Sequence, residues 1–462
     1  MAVEHINETD FLNDGRVKIN KFAIDPANRA EQNSKNANNT AATAVEIAKN
    51  ASNKAENVQD QLTQITIEGD SSVEAAQARV AEDNTTYPSL KDRLDNHQNH
   101  YEVSDDFDLG GGISDLYKAD LETLHESIDQ SKFNLLIETD VHYEEKQLNQ
   151  YYDSSYLGLN HLNNALYMHD VVDVIVANGD NCQSDSYSLE NIRSQYQTFV
   201  TRFLDSNLRC DAFINLGNHD DGSGRSASRL FGLTLTNDDI LHEADLKELF
   251  RTKKLINGET REGGDSLYCF KDYPDKKIRL INLNSSDIPD ELLKENGTLK
   301  YLRWNYLGYR EKQMKWLANV ALSNVPEEYH VVITAHSPLK TEDWSLATNV
   351  NAELVKGILV AFKYGSLYQA RSVVTDFEAD FTVDFTAQGP RNLVGFFSGH
   401  LHHLQNYKFN EINNICFVNS ITASREVGTK QEDAFAILEI DTDAKVINVR
   451  GFGAQKSISY TY

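Results

Sequence analysis

The chain has few cysteines and few positive charges, and each shortage argues against a class of protein. Only four of its 462 residues are cysteines, and none forms a CxxC pair, so a disulfide framework or a thiolate zinc site is not expected. Acidic residues outnumber basic residues by 70 to 44, and the resulting net charge of -26 argues against an extended nucleic-acid groove. An anionic substrate would then need a local cationic centre, for which bound metal is the obvious candidate.

Long apolar runs are also missing. No stretch approaches the ~20 apolar residues of a membrane span, and the N-terminus lacks the basic and apolar regions of a signal peptide. We therefore expect a soluble chain that has no membrane span and is not secreted by a cleaved signal. At 462 residues, the chain should divide into two or more parts.

Five short polar clusters each follow an apolar run that predicts a buried strand. The runs occupy residues 133–137, 171–176, 212–216, 331–334 and 393–397. The polar residues that follow them are Asp140 and His142, then Asp180, then Asn218, His219 and Asp220, then His336, and finally His400 and His402. Such runs suit parallel strands that are covered on both faces, where a site forms beyond the carboxyl ends. The clusters are therefore expected to converge on one place.

In content and order, these clusters resemble those of the metallophosphoesterases, also called calcineurin-like phosphoesterases. The resemblance covers about residues 132–440. It implies an α/β fold, a sandwich of two mixed β-sheets flanked by helices, and two divalent metal ions as cofactors. Imidazole and carboxylate ligands suit manganese, iron or zinc, whereas magnesium alone would favour an all-oxygen shell.

The resemblance also implies a ligand set and a reaction. One metal ion is assigned to Asp140, His142, Asp180 and His402, and the other to Asp180, Asn218, His336 and His400, so that Asp180 bridges. His219 matches the position of the family's proposed general acid, and Asp220 is expected to orient its imidazole. The implied reaction is in-line attack on phosphorus by a metal-bridging hydroxide.

Two side chains are candidates for contacts with the substrate phosphate. Asn218 is neutral, so a ligand at that position leaves the two metal ions with surplus positive charge for a phosphate oxygen. Arg225 lies in the polar loop after the third cluster. For Arg225 the alternative is an ordinary solvated arginine.

The N-terminal part has a helical pattern of its own. Asp25 followed by Pro26 is typical of a helix start. From Ala27 to Ile65, small or apolar residues recur at alternating spacings of three and four, which predicts an α-helical coiled coil over residues 26–68. The alternative is a flexible linker, because an alanine seam buries little apolar surface.

The patterns divide the chain into four segments. They are an attachment arm at 1–25, the coiled coil at 26–68, a linker with short helices at 69–128 and a catalytic domain at 129–462. Residues 69–79 and 88–95 resemble a linker that is common in tail and baseplate proteins of phages of Gram-positive bacteria. This resemblance implies a place in the virion, contacts with other tail or baseplate proteins and a homotrimer built through the coiled coil.

Together these observations favour a phage tail-associated phosphodiesterase that acts at the host cell surface on a phosphate-containing polymer, with wall teichoic acid as the leading substrate. Such a polymer needs an open cleft, which the insertion between His336 and His400 is expected to shape. One alternative is an intracellular phosphatase or nuclease that acts on small phosphoesters or DNA, although nucleic acid fits the acidic balance poorly. The other is a receptor-binding tail protein whose phosphoesterase fold is catalytically silent.

Overall fold

The computed structural model describes residues 112–145, 157–184, 188–226, 232–339, 349–420 and 428–462. The predicted attachment arm, the coiled coil and most of the linker therefore lie outside the described residues, and their structure stays a prediction. No helix in the described ranges has both the length and the apolar character needed to cross a bilayer.

The described part of the chain alternates strands and helices in its first half and is richer in strands toward its end. The helices are α1 (Asp115–Ser127), α2 (Gly158–Leu166), α3 (Leu189–Leu204), α4 (Glu243–Leu249), α5 (Glu311–Trp316) and α6 (Ala352–Tyr364). The first nine strands are β1 (Phe133–Glu138), β2 (Val174–Asn178), β3 (Asp211–Asn215), β4 (Thr260–Arg261), β5 (Cys269–Tyr273), β6 (Ile278–Asn282), β7 (Leu307–Gly308), β8 (His330–Thr334) and β9 (Asn349–Val350). The others are β10 (Leu367–Ser372), β11 (Ala379–Asp384), β12 (Asn392–Ser398), β13 (Gln405–Asn406), β14 (Asn414–Cys416), β15 (Ala434–Asp441), β16 (Val446–Gly453) and β17 (Ile458–Thr461).

Two mixed sheets form the centre of the fold. The first has six strands in the order β17-β16-β15-β1-β2-β3, and the second has seven in the order β13-β14-β12-β8-β6-β5-β4. Within the first sheet, β1, β2 and β3 run parallel, and β15 joins β1 antiparallel. Within the second, β6, β8, β12 and β14 run parallel. The predicted sandwich of two mixed sheets is confirmed.

Alternation along β1 shows how the layers are held. Phe133, Leu135 and Ile137 belong to an apolar core that also contains residues of the second sheet, whereas Leu136 belongs to a core shared with α1, α2 and α3. Successive side chains of a strand point to opposite faces, so β1 is buried on both. The second sheet has its own outer core, formed with α5 and α6. Helices therefore cover both outer faces of the sandwich.

The edge of the first sheet is formed by a strand that the sequence pattern does not predict. The segments at 434–440 and 445–450 predict an antiparallel hairpin at a sheet edge, and β15 does pair with β16 in that way. However, β17 pairs with the far side of β16 and forms the edge instead. Three of the four residues of β17 are exposed, and at four residues its alternation of apolar and polar side chains is too short to identify a strand in sequence.

Candidate metal centre

The five predicted clusters lie at the carboxyl ends of β1, β2, β3, β8 and β12, and the structure brings them together. All these strands are parallel within their sheets, so their carboxyl ends open toward one side of the sandwich. The ligand atoms form three groups, and within each group all atoms lie within 4.8 Å of one another. The groups are Asp140, His142 and His402, then His142, Asp180 and His219, and then Asp180, His336 and His400.

Asp140, His142 and His402 make up what we call half-site 1. Nε2 of His402 lies 3.2 Å from Oδ1 of Asp140 and 3.3 Å from Nε2 of His142. Nε2 of His142 lies 3.9 Å from the same carboxylate oxygen. The side chains of Asp140 and His142 are fully buried, whereas that of His402 is 25% exposed. Half-site 1 therefore opens to solvent at His402.

Asn218, His336 and His400 make up half-site 2, together with Asp180. Nε2 of His336 lies 3.2 Å from Oδ2 of Asp180, 3.1 Å from Oδ1 of Asn218 and 3.3 Å from Nδ1 of His400. The side chain of His336 is fully buried. Half-site 2 therefore contains one fully buried imidazole, that of His336, and one partly exposed imidazole, that of His400.

Asp180 connects the half-sites. Its Oδ2 atom lies 3.2 Å from His336 in half-site 2 and 3.9 Å from Nε2 of His142 in half-site 1. His219 approaches the same oxygen, with its Nε2 also at 3.9 Å. The position of Asp180 between the two sets of imidazoles is the one expected of a bridging ligand.

Five of these side chains are carried on left-handed backbone, which residues other than glycine rarely adopt. The φ angles are 55° at Asp140, 47° at His142, 51° at Asp180, 69° at His400 and 60° at His402. Such a conformation costs of order ~1–3 kcal/mol per residue and is typical of functional sites. The turns after β1, β2 and β12 are therefore shaped by the site and not by local preference.

Close backbone approach explains two of the glycines in the clusters. A Cβ atom at Gly217 would overlap the backbone nitrogen and Oδ1 of Asp180, and one at Gly399 would overlap Thr139 and Oδ2 of Asp140. Any larger residue would push the carboxylates away from the imidazoles.

Hydrogen bonds to neighbouring groups fix the orientation of the ligands. Nδ1 of His142 lies 2.6 Å from Oε1 of Gln183, and Nδ1 of His336 lies 3.1 Å from the carbonyl oxygen of Asn178. Each contact directs the Nε2 atom of its imidazole into the centre. The carboxylate of Asp140 accepts hydrogen bonds from Thr139 and from the amide of His400.

The buried charges respond strongly to one another. Burial raises the pKa of Asp140 and of Asp180, but the imidazoles around them outweigh this effect and hold both pKa values below the ordinary range. Burial lowers the pKa of His142 to about 4. Burial would also lower that of His336, but the carboxylates of Asp180 and Asp140 raise its pKa to about 9. The negative charge of Asp180 and Asp140 thus stabilises positive charge at His336, either as a proton on the imidazole or as a metal ion bound beside it.

The donor set fits two divalent cations. Imidazole nitrogens face each other at 3.3 Å in both half-sites, and two carboxylates with low pKa values lie between them. Bringing these groups so close is favourable only around positive charge, and nitrogen with carboxylate donors is typical of first-row transition metals and zinc.

Asp220 has a different environment from the one expected of it. Its carboxylate accepts hydrogen bonds from four backbone amides, those of Gly217, Asp180, Asn181 and Cys182. Nδ1 of His219 has no hydrogen-bond partner among the described residues. The expectation that Asp220 orients this imidazole is therefore corrected. Asp220 holds the turns after β2 and β3 together instead.

The side chain of Arg225 forms no hydrogen bond with a predicted metal ligand among the described residues. Its guanidinium donates to the carbonyl oxygens of Gly222 and Asp239, and the residue is only 5% exposed. A side chain engaged in this way serves to hold its own loop. The expectation of a phosphate contact by Arg225 is corrected on this ground.

Comparisons with known proteins agree with this geometry. The family model described as calcineurin-like phosphoesterase matches residues 133–404, which is more than half of the chain and includes every ligand of both half-sites. The chain belongs to the calcineurin-like phosphoesterase family. Membership and the clustered donors together identify the site as a centre for two divalent metal ions in a metal-dependent phosphoesterase.

The solved structures that resemble this phosphoesterase are distant in sequence. A dimetal phosphatase from Danio rerio is 14% identical with a TM-score of 0.46, over 71% of this chain and 99% of that one. GAP50, the anchor in the inner membrane complex of Plasmodium, is 11% identical with a TM-score of 0.35, over 71% and 88%. Phosphopantetheinyl hydrolase from Mycobacterium tuberculosis is 13% identical with a TM-score of 0.29, over 63% and 91%. A comparison with curated protein sequences finds no match.

Two residues of this phosphoesterase centre, Gln183 and Trp304, were not predicted from the sequence. Gln183 stands three residues after the bridging Asp180, where a polar side chain next to a predicted ligand was the available signal. Trp304 contacts the ring of His219, with 4.5 Å between ring centroids. It is far from every cluster in sequence, so no local pattern points to it.

Proposed function

We propose that this protein is a metal-dependent phosphodiesterase. The observation that carries the proposal is the carboxylate of Asp180, whose Oδ2 atom lies 3.2 Å from His336 and 3.9 Å from His142. One oxygen shared between two imidazole groups is the arrangement that a pair of cations requires. Bound there, two divalent ions would supply positive charge to the phosphate oxygens and lower the pKa of coordinated water toward ~7.

The chain's own residues would hold the ions and complete the reaction. Half-site 1 with Asp180 would bind one ion, and half-site 2 with Asp180 the other. His219 lies 3.9 Å from Asp180 and outside both half-sites. We propose that it donates a proton to the leaving oxygen, as the family resemblance implies. Burial lowers the pKa of His219 to about 3, so the proton would be carried only while substrate charge is close by.

The charges around the site favour a diester over a monoester. In the described ranges, Asp140 and Asp180 have histidines as their only ion-pair partners. Arg225 is engaged by backbone carbonyls, and Arg303 by two buried aspartates. A phosphodiester carries one negative charge and a monoester up to two, so a site that offers no unpaired lysine or arginine among the described residues suits the diester.

We extend the proposal to a substrate class and a location on the evidence of the N-terminal sequence. Residues 69–79 and 88–95 resemble a linker of phage tail and baseplate proteins, and the coiled-coil pattern at 26–68 precedes them. A phosphodiesterase carried there would act on a phosphate-containing polymer of the host surface, with wall teichoic acid the leading choice. Attachment to other tail proteins and a homotrimer belong to the same proposal.

The proposal is tested first with purified protein, manganese and a chromogenic phosphodiester, beside the variants Asp180→Asn and His219→Ala. We expect turnover by the wild type, a large loss of kcat with either variant, and slower turnover of the matching monoester. Equal turnover by all three proteins would contradict the assigned roles. Metal binding with turnover of neither ester would favour a catalytically silent binding protein.

The substrate class needs a second experiment. Isolated cell wall is incubated with the wild type and with Asp180→Asn, and the soluble fraction is analysed for glycerol- or ribitol-phosphate units. We expect release by the wild type alone. Turnover of the chromogenic diester without release from walls would retain the phosphodiesterase and reject the teichoic acid substrate.

A further inference from the structure

Trp304 lies at the edge of the metal centre and contacts two of its residues. Its indole ring meets the imidazole of His219 edge to face, with 4.5 Å between centroids and 86° between the ring planes. Its carbonyl oxygen accepts a hydrogen bond of 3.4 Å from Nδ2 of Asn218. Its amide donates to Oγ of Ser223 at 2.9 Å. Trp304 therefore lies beside both the proposed proton donor and a ligand of half-site 2.

The contact with Asn218 has a direction that matters. Because Nδ2 donates to Trp304, Oδ1 of the same amide faces His336, 3.1 Å from its Nε2 atom. If the side-chain amide of Asn218 were flipped, its NH2 group would face His336. That group has no lone pair to offer a metal ion. The backbone of Trp304 thus selects the orientation in which Asn218 can be a metal ligand.

Arg303 anchors the segment that carries Trp304. Its side chain is 1% exposed, and its guanidinium pairs with Asp221 at 3.2 Å and with Asp290 at 2.6 Å. It also donates to the carbonyl oxygens of Ser286, at 3.1 Å, and Leu241, at 3.4 Å. These acceptors belong to the loop after β3, the segment after β6 and the residues before α4. One planar group therefore joins three separate parts of the chain around the centre.

A guanidinium suits this position better than any other cation. Its donors leave a rigid plane in several directions at once, whereas the ammonium of lysine is a point charge on a flexible stem. Arg303 and Trp304 are adjacent in sequence, so an anchored guanidinium restricts where the indole can lie. Without this anchor, Trp304 would keep the hydrogen bonds of its backbone to Ser223 and Asn218 and the contact of its ring with His219.

We propose that Trp304 forms a wall of the pocket for the leaving alcohol, and that Arg303 is the positioning residue that holds this wall beside His219. This inference rests on the proposed function, because His219 would face the leaving oxygen. Trp304 is partly exposed, and aromatic surface packs well against flat or apolar rings. The wall favours a leaving alcohol that carries a ring, such as a glycerol or ribitol unit of a surface polymer that bears a sugar, over a bare acyclic alcohol.

The wall is tested by varying the leaving group alone. Methyl p-nitrophenyl phosphate and methyl trichloroethyl phosphate share the methyl group and differ in whether the leaving alcohol carries a ring. For Trp304→Ala we expect the ratio of KM for the aryl ester to KM for the acyclic ester to rise about fivefold, in line with the loss of one aromatic contact. Trp304→Phe should restore most of the preference.

The matched control is Trp316→Phe, at a tryptophan that is buried in the outer core of the second sheet. It should leave the ratio of the two KM values unchanged. An equal rise in both KM values with Trp304→Ala would overturn the wall, since a general loss of packing does not distinguish leaving groups.

Positioning by Arg303 is tested in metal-free protein without substrate. The emission of Trp304 is isolated by subtracting the spectrum of the matching protein that also carries Trp304→Phe. We expect Arg303→Lys and Arg303→Met to shift this emission to longer wavelength, as the indole leaves His219 for water. The control is Arg279→Lys, because Arg279 is also buried and pairs with Asp272 through two bonds of 2.6 and 2.7 Å, but lies near the opposite end of β6.

Each result has a separate meaning. Unchanged Trp304 emission in Arg303→Lys and Arg303→Met would overturn the positioning role, whether or not the protein is an enzyme. A shift with Arg303→Lys together with loss of the KM preference would support both halves of the inference. If the wild type hydrolyses no phosphodiester, the proposed function fails and the wall fails with it, but the emission measurement still decides what Arg303 does.

Discussion

Half-site 1 and half-site 2 use similar donors, and each contains one partly exposed imidazole, that of His402 or His400, but they differ in protonation. Burial lowers the pKa of His142 in half-site 1 to about 4, while Asp180 and Asp140 raise that of His336 in half-site 2 to about 9. The neutral imidazole of His142 is ready to bind a cation, whereas a half-site that holds a proton must release that proton first.

Orientation of the ligands differs in the same way. Gln183, a side chain, orients His142, whereas the backbone carbonyl of Asn178 orients His336. Only the first of these contacts can be removed by a single substitution. Half-site 1 can therefore be weakened by a substitution outside its ligand set, whereas the main chain determines the orientation of His336 in half-site 2.

The shared carboxylate should matter most. In Asp180→Asn, both half-sites lose their common negative ligand, so we expect neither to hold its cation and turnover to fall about 10³-fold or more, because several kcal/mol of charge stabilisation are lost. Metal content measured by atomic emission should fall from two ions per chain toward none. The control is Asp275→Asn in an exposed turn. Retention of one full equivalent of metal would break the idea that Asp180 serves both half-sites.

Removing Gln183 should weaken half-site 1 alone. A partner that orients a metal-binding imidazole is typically worth about 10- to 100-fold in metal affinity, so we expect Gln183→Ala to lower the affinity of one site by such a factor. Titration calorimetry should then resolve one weakened and one unchanged site. Gln369→Ala on the exposed face of β10 is the control. Equal weakening of both sites would contradict the asymmetry.

Proton release should accompany the filling of half-site 2. At pH 7 the His336 imidazole, with its pKa of about 9, carries a proton in the metal-free protein. A cation must displace this proton, so affinity should rise with pH, by up to about tenfold per unit, and level off as the pH passes 9. Calorimetry in buffers of different ionisation enthalpy would measure about one proton released. A pH-independent affinity between 6 and 8 would contradict the raised pKa of His336.

Metal should also stabilise the fold, with the smallest effect. An ion that binds only the folded chain at 100 times its dissociation constant contributes about 2.7 kcal/mol, which corresponds to a rise of about 5 °C in Tm for a domain of this size. Differential scanning calorimetry with and without a chelator measures the rise. In Asp180→Asn the rise should disappear. A chelator that leaves the wild-type Tm unchanged would argue that the centre is preformed without ions.

Much of the catalytic part could be predicted because its signals are local. Each apolar run and the polar residues after it lie within about ten positions, and parallel strands bring their carboxyl ends to one side. Asp140, His336 and His402 were accordingly predicted and lie together in the structure. The ligand roles themselves stay a prediction until metal is measured.

Other roles could not be read from local pattern. Asp220 stands next to His219 in sequence, yet its carboxylate accepts four backbone amides of the turns after β2 and β3. Arg225 looked available for phosphate, but it bonds to the carbonyl of Asp239, fourteen positions away. The partners of a polar side chain are set by whatever the fold brings near it, and adjacency in sequence does not reveal them.

By itself, the sequence determined the kinds of donor atoms and the strand ends that carry them, because alternation and ligand chemistry are properties of short segments. Which imidazole holds a proton, and how Arg303 brings Trp304 to His219, became visible only in the folded chain. These properties depend on burial and on charges that meet across two sheets. Electrostatic energies change steeply with distance and solvent exposure. The amino-acid sequence specifies neither the distances between side chains nor their exposure.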